Sequence, residues 1–263
     1  MRLIIAGPGR AGGALALAAG RAGHDIVGVL ARTAESQYGP VLDWRADLPP
    51  ADVLFLAVRD DAIHQVVESL VPIAGEVGVA AHLSGFVPIS SLHPFHGIGI
   101  AVGGFHPLQS IPDPETGSRA LAGAYVGVGG DDLATDTLIH LAETLEMEPF
   151  SLEDDSRPAY HAAAAAASNF VVTSLAVAAD LFDAAGVDPK VSRPLVERAV
   201  RNVYELGADG ALTGPIARGD TDTVIGHLTA AHDVSDAVGR QFQLMAEATT
   251  LRAGREEDLS SWR

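Results

Sequence analysis

Apolar and polar residues follow two different patterns along this chain, and the change between them divides it in two. In the first half, short apolar runs are separated by stretches with helical spacing, an alternation typical of a parallel sheet wrapped by helices. After Pro149 the strand pattern ends and only helical spacing follows. The runs predicted to be strands are residues 3–6, 26–30, 53–58, 77–82, 98–105 and 125–128.

The second half is predicted to be entirely helical. Gly186 ends one helix, Asp188-Pro189 begins the next, and the segment from Gly207 to Gly210 ends that one. We therefore predict an α/β fold with a Rossmann-like doubly wound sheet over residues 1–152, followed by an all-α domain over residues 153–263. The helices are expected at about residues 155–185, 188–206, 220–229 and 230–253, with a short turn at 212–217.

Composition narrows the choice of partners. The net charge of −17 disfavours nucleic acid, and the absence of cysteine excludes disulfides and thiolate chemistry. We expect no metal site, because His93, His96 and His106 have no acidic partner at a recognised spacing. The longest apolar run, 162–172, is shorter than the roughly 20 residues of a membrane span, and no signal peptide is recognised. We therefore expect a cytoplasmic protein without a membrane segment.

A glycine motif follows the first predicted strand. The segment Gly7, Pro8, Gly9, Arg10, Ala11 and Gly12 has the GxGxxG pattern and opens an Ala/Leu-rich helix. In this context the first glycine permits a tight turn, the second admits a pyrophosphate, and the third lets the helix approach the sheet. The alternative is a strand-to-helix turn without a ligand. We predict a dinucleotide site.

The next strand ends at Arg32 and Thr33, where an NAD-preferring site would carry an acidic residue for the ribose hydroxyls. An arginine there favours a 2′-phosphate, and Arg10 offers a second cation. We therefore expect NADPH (NADP⁺) as the cofactor. The alternative for Arg32 is an ordinary surface arginine.

Ligands of open α/β sheets lie at the carboxyl ends of the strands, so residues there are candidates for contact with the nicotinamide. Val58, Ser84 and Gly85 follow two predicted strands and are assigned to cofactor binding. His106 follows a third, where an imidazole can donate a proton or a hydrogen bond to a carbonyl. A structural histidine that fixes the turn at Pro107 is the alternative.

Further candidates lie on the predicted helices. His161 and Ser168 are seven residues apart, about 700° on an α-helix, and so point nearly the same way, with Asn169 turned by about 80°. These three residues form a polar stripe that needs hydrogen-bond partners. Either substrate and cofactor provide them, or neighbouring helices and buried water do. In a later turn, Thr213, Arg218 and Asp220 are candidates for substrate binding, although an Arg–Asp pair that holds the turn is the alternative.

Together these motifs resemble a family of Rossmann-like proteins that carry a helical C-terminal domain of long-unassigned function. The shared features are the glycine loop with Arg32, Leu83-Ser84-Gly85, His106-Pro107-Leu108-Gln109, Tyr160-His161 with Ser168-Asn169, and the segment 212–220. That family is similar to ketopantoate reductase, pyrroline-5-carboxylate reductase and the β-hydroxyacid dehydrogenases. The resemblance implies hydride transfer from NADPH to 2-dehydropantoate (ketopantoate), which yields pantoate for pantothenate synthesis.

The sequence departs from conventional ketopantoate reductases in one respect. Those enzymes use a lysine and an asparagine one helical turn apart; Asn169 could match the asparagine, but the position one turn earlier is Ala165, and the only lysine is Lys190. The proton donor is then expected to be His161 or His106, with Tyr160 third, and Arg218 or Arg157 would hold the substrate carboxylate.

Three functional hypotheses follow from these residues. The first is an NADPH-dependent reductase of a small 2-oxo acid, ketopantoate foremost. The second, a variant of the first, is a reductase of a cyclic imine, which needs less acid catalysis because an iminium is already protonated when it binds. The third is a non-catalytic NADPH-binding sensor, motivated by the missing lysine. The Ala-rich helical domain also leads us to expect a homodimer.

Overall fold

A computed structural model describes residues 1–32 and 35–262, with side chains up to residue 259. The chain forms two compact units, Met1–Ala165 and Ala166–Arg263. The first contains a sheet with helices on both faces, and the second is helical. The predicted fold class is confirmed.

The first unit is built on a seven-stranded sheet with the order β2-β1-β3-β4-β5-β6-β7. All neighbouring strands run parallel except β5 and β6, which are antiparallel. The strands are β1 (Arg2–Ala6), β2 (Asp25–Leu30), β3 (Ala51–Leu56), β4 (Val77–His82), β5 (Ala101–Pro107), β6 (Tyr125–Gly130) and β7 (Glu148–Ser151). The helices of this unit are α1 (Arg10–Arg21), α2 (Ile63–Leu70), α3 (Pro114–Ala120), α4 (Asp132–Thr144) and α5 (Arg157–Ala165).

Successive residues of each strand point to opposite faces of the sheet, which gives this unit two apolar cores. On one face, Leu3, Ile5 and Phe55 pack with residues of α1 and α4. On the other, Ile4 and Leu54 pack with α2 and with the 3₁₀ segment Ile89–Ile98. Because both faces are covered, the strands are almost continuously apolar, as parallel strands usually are.

The sheet differs from the predicted one at its far edge. Tyr125–Gly130 runs antiparallel to β5, and β7 was not predicted at all. Strand β7 is four residues long and contains Pro149, which suits an edge position but masks the strand pattern. The strand expected at 98–105 begins at Ala101, because the residues up to Ile98 form a 3₁₀ helix.

The second unit begins with a π-helical turn. This turn, Ala166–Phe170, is followed by α6 (Val171–Ala184), α7 (Arg193–Ala211), α8 (Pro215–Arg218), α9 (Thr221–Val234) and α10 (Asp236–Arg252). Helix α7 is broken at Gly207, whose φ of 77° and ψ of 165° are not helical. The core of this unit is small: its buried cluster consists of Val177, Ala231 and Val238, and no residue of α7 is buried.

The division between the units lies after Ala165 rather than near residue 152. Helix α5 belongs to the first unit because Arg157 donates to the Ser84 carbonyl and Tyr160 contacts His106, both in the sheet domain.

The sequence analysis predicts no helix of membrane-spanning length, but the described residues contain one. The helical stretch Asp154–Ala184 is long and apolar enough to cross a membrane by length and composition. Its most apolar 18-residue window has a mean hydropathy of 1.6, and only 6% of the window is buried. One such helix is weak evidence for a span, because an Ala-rich helix that packs against protein meets the same criteria.

Candidate functional site

The glycine loop connects β1 to α1. In the sheet, β1 lies between β2 and β3, which is where the strand order changes direction. Gly7 has a φ of +93°, and a Cβ there would lie 2.8 Å from the Ala57 carbonyl oxygen. A Cβ on Gly12 would collide with the Gly7 carbonyl oxygen, whereas Gly9 faces open space. Two of the glycines are therefore required for packing, and the third leaves room above the backbone for a phosphate.

The first turn of α1 can supply the hydrogen-bond donors for that phosphate. Gly9 has no side chain to cap the helix, and the first N–H groups of a helix have no intrahelical acceptor. Gly9 and Arg10 are exposed, while Val58 packs with a methyl group against Gly7. These features fit a pyrophosphate at the helix N-terminus.

Arg32 is exposed and lies two residues beyond the end of β2. The loop is anchored beside it, because the Trp44 indole donates to the Ala31 carbonyl at 3.1 Å. Arg32 forms no ion pair within the described part of the chain, so its guanidinium is available to an anionic ligand. The neighbouring Thr33 lies outside the described residues.

A polar cluster lies at the carboxyl ends of β4 and β5. The Nδ1 atom of His106 is 2.7 Å from the hydroxyl oxygen of Tyr160, and the two rings meet edge to face. His161 packs edge-on against His106 with ring centres 5.8 Å apart. A Cβ built on Gly85 would lie 2.7 Å from both His106 Nε2 and His161 Nδ1. The two imidazoles thus pack directly against Gly85, where no side chain would fit.

Burial disfavours the charged forms of His106 and Tyr160. It lowers the pKa of His106 to about 4, with smaller contributions from His161, Arg157 and His82. It also raises the pKa of the Tyr160 phenol to about 12. Near neutral pH, His106 is therefore a neutral imidazole beside a protonated phenol. The Nδ1 atom of His161 is buried and has no hydrogen-bond partner in the described chain.

A buried ion pair positions the loop around Gly85. Arg157 has a fully buried side chain that donates from Nε to Asp154 at 2.9 Å and from Nη1 to the Ser84 carbonyl at 3.0 Å. Asp154 also accepts from the backbone N–H groups of Ile89, at 2.7 Å, and Ser90, at 3.2 Å. We refer to Asp154 and Arg157 as the clamp, since they tie the start of α5 to the loop after β4.

Two residues that the sequence analysis assigned to ligand binding make contacts within the protein instead. The Ser84 hydroxyl accepts from the N–H groups of Phe86, at 3.1 Å, and Val87, at 2.9 Å, so it holds the turn. Arg157, considered for the substrate carboxylate, is fully buried and engaged with Asp154 and Ser84. That assignment is wrong for this conformation of the protein.

The other predicted residues lie in the second unit. Ser168 and Asn169 belong to the π-helical turn, so the angular argument that aligned Ser168 with His161 and turned Asn169 away does not apply. Thr213 and Arg218 are exposed. Asp220 caps α9, because its carboxylate accepts from the backbone N–H of Thr223 at 3.3 Å and from its hydroxyl at 2.8 Å. The proposed pair with Arg218 is not formed.

Sequence reasoning missed Asp154 and gave Tyr160 too small a role. Asp154 precedes Arg157 by three residues, a spacing that allows an ion pair on one helical turn, and this is the signal that was available. Nothing in the sequence indicates that Tyr160 reaches His106, since 54 residues separate them along the chain.

These features define a Rossmann-type domain joined to a helical one, and comparisons with known proteins agree. One family model matches, described as "Domain of unknown function (DUF2520)", over residues 124–249, which is slightly less than half of the chain. A search of curated proteins finds no match.

Solved structures share the fold over nearly the whole chain. A protein from Bacteroides fragilis, provisionally assigned as an NADP oxidoreductase, is 24% identical with a TM-score of 0.82, and the similarity covers 95% of this chain and 98% of that one. An imine reductase from Streptomyces aurantiacus is 18% identical with a TM-score of 0.68, covering 99% of each chain. Pyrroline carboxylate reductase from Plasmodium falciparum, with NADP bound, is 12% identical with a TM-score of 0.61, covering 96% and 98%.

The clamp leads to a prediction about stability. The variant Asp154→Asn keeps the size of the side chain but removes the charge beside a buried guanidinium. We expect the free energy of unfolding to fall by about 3 kcal/mol, because an unpaired buried charge is costly. Urea unfolding followed by circular dichroism measures the change. Asp155→Asn is the matched control, because Asp155 is exposed, and we expect it to change stability by less than about 0.5 kcal/mol. Equal losses in the two variants would contradict the assignment.

Proposed function

We propose that this protein is an NADP-dependent oxidoreductase that reduces a small molecule. The observation that carries the proposal is the glycine loop: Gly7 and Gly12 are packed where no side chain fits, and Gly9 is open at the start of α1. NADPH, when bound, supplies a hydride. The likeness to NADP-binding reductases supports the same cofactor, and the exposed Arg32 offers a partner for its 2′-phosphate.

The reacting group would lie against His106 and His161. One nitrogen of each ring packs against Gly85, at the carboxyl ends of β4 and β5, where ligands of such sheets bind. A neutral imidazole N–H can donate a hydrogen bond to a carbonyl oxygen, and that donor becomes more effective as negative charge develops on the oxygen. This chemistry favours a small 2-oxo acid as the substrate, with ketopantoate as the first compound to test.

A cyclic imine is the second candidate. The buried, unpartnered Nδ1 of His161 could accept a hydrogen bond from an iminium N–H, so the same site could hold an imine. Structural likeness to an imine reductase and to a pyrroline carboxylate reductase supports this alternative. For either substrate, Arg218 remains our candidate for a carboxylate and Thr213 for a hydroxyl, whereas the Asp220 carboxylate already serves as a helix cap.

The test of function is oxidation of NADPH by the purified protein with ketopantoate or with pyrroline-5-carboxylate, followed by loss of absorbance. We expect turnover with ketopantoate and slower turnover when NADH replaces NADPH. Turnover with only the imine would transfer the assignment to imine reduction. Tight binding of NADPH without turnover of either substrate would favour the non-catalytic sensor and contradict the proposed reductase.

Cofactor preference is tested at Arg32. In Arg32→Asp, a carboxylate replaces the cation, so binding of the 2′-phosphate is lost while the ribose hydroxyls of NADH gain an acceptor. We expect the KM for NADPH to rise about ten- to hundredfold, the loss of one charge-assisted contact, and the KM for NADH to fall. Arg119→Asp makes the same change of charge at an exposed position on α3 and controls for the overall charge. A similar rise in both variants would argue against Arg32 as the phosphate contact.

We also propose that the protein is a homodimer. Helices α6 and α7 expose large apolar side chains, among them Val172 (64% exposed), Leu195 (69%) and Tyr204 (86%). Large exposed apolar side chains on two successive helices favour an interface, since contiguous apolar patches on soluble proteins often mark interaction sites. A second copy of the same helices offers a complementary apolar face, as two-fold symmetric interfaces require.

Sedimentation of the purified protein tests this proposal. We expect a species of twice the chain mass of 27.2 kDa. Leu195→Glu should shift it toward the monomer, because the interface would have to bury a charge. Leu133→Glu, on the 62%-exposed Leu133 of α4, should not. A wild-type monomer that partitions into lipid vesicles would point to membrane association instead.

A further inference from the structure

The two nitrogen atoms of His106 have different surroundings. Nδ1 contacts the hydroxyl of Tyr160 at 2.7 Å, whereas Nε2 has no hydrogen-bond partner in the described chain and lies beside Gly85. A neutral imidazole carries one hydrogen, and its location decides whether Nε2 donates or accepts. The function of His106 therefore depends on a tautomer that its neighbours select.

Tyr160 is suited to make that selection. A phenol is a better donor than a neutral imidazole N–H, and an imidazole nitrogen is a better acceptor than a phenol oxygen. No other acceptor in the described chain lies within hydrogen-bond distance of the Tyr160 oxygen, so its hydrogen is directed to Nδ1. The imidazole hydrogen must then reside on Nε2.

Packing holds Tyr160 in position for this hydrogen bond. Its ring packs edge-on against Phe150 of β7, with centres 5.7 Å apart, and meets the His106 ring at 89°. The clamp fixes the start of α5, three residues before Tyr160. His106 is fixed by β5, where it is paired with Gly127 of β6. Both partners of the hydrogen bond are thus attached to ordered elements.

We propose that Tyr160 is a positioning residue that holds neutral His106 with its hydrogen on Nε2, so that His106 donates a hydrogen bond to the substrate carbonyl. The inference about the substrate rests on the proposed function, while the tautomer itself does not. The phenol acts only through His106 and need not touch the substrate.

The tautomer can be measured without substrate or cofactor. Long-range ¹⁵N–¹H correlation spectra of the ¹⁵N-labelled protein at neutral pH distinguish a protonated ring nitrogen from an unprotonated one. The chain has ten histidines, so the signals of His106 are assigned by their loss in His106→Gln. We expect the wild type to carry the hydrogen on Nε2. We expect Tyr160→Phe to show a mixture of the two tautomers, and Tyr125→Phe, a change at an exposed tyrosine of β6, to match the wild type.

Activity provides the second measurement. Tyr160→Phe should lower kcat about three- to tenfold, the effect of one neutral hydrogen bond, with little change in KM. A hydrogen on Nδ1 in the wild type, or an unchanged tautomer in Tyr160→Phe, would overturn the proposal. An unchanged tautomer with a large loss of activity would show that the phenol acts on the substrate directly. If the tautomer shifts as expected but no substrate is turned over, the proposed reductase fails while the role of Tyr160 stands.

Discussion

The arrangement of the site depends on one buried ion pair, between Asp154 and Arg157. A guanidinium without solvent contact needs a counter-charge and acceptors: Asp154 supplies the charge and accepts from Nε, and the Ser84 carbonyl accepts from Nη1, while Nη2 has no hydrogen-bond partner in the described chain. The remaining lone pairs of Asp154 accept two backbone N–H groups from the 3₁₀ segment that follows the loop. The start of α5 and the loop after β4 can therefore not move independently.

The same ion pair shapes the electrostatics of the histidines. Arg157 stays charged, and burial of His82 and His106 already disfavours the protonated imidazole. The nearby positive charge lowers the pKa of each further, to about 4 in both cases. Near neutral pH, His82 and His106 are thus neutral although a cation lies nearby.

Sequence reasoning succeeded where one local pattern determines the structure. The glycine loop and the apolar strands β1 to β5 were predictable, because tight turns and buried strands each restrict residue type strongly. Strand β7 was not, since a four-residue edge strand with Pro149 has too little pattern. The π-helical turn at Ser168 and Asn169 was also hidden, because Ala-rich sequence is compatible with either helical form. Contacts such as that between His106 and Tyr160 depend on tertiary packing, which periodicity does not report.

The missing lysine can now be considered in physical terms. An ammonium group would stabilise a developing oxyanion with a charged hydrogen bond, roughly twice as strong as the neutral bond that His106 can offer. If the proposed function holds, this site provides less stabilisation and must act on a substrate that is reactive by itself. The carbonyl of a 2-oxo acid, activated by its adjacent carboxylate, and an iminium carbon both meet that condition. An unactivated ketone does not, so the neutral histidines limit the substrate class even before its size and shape are considered.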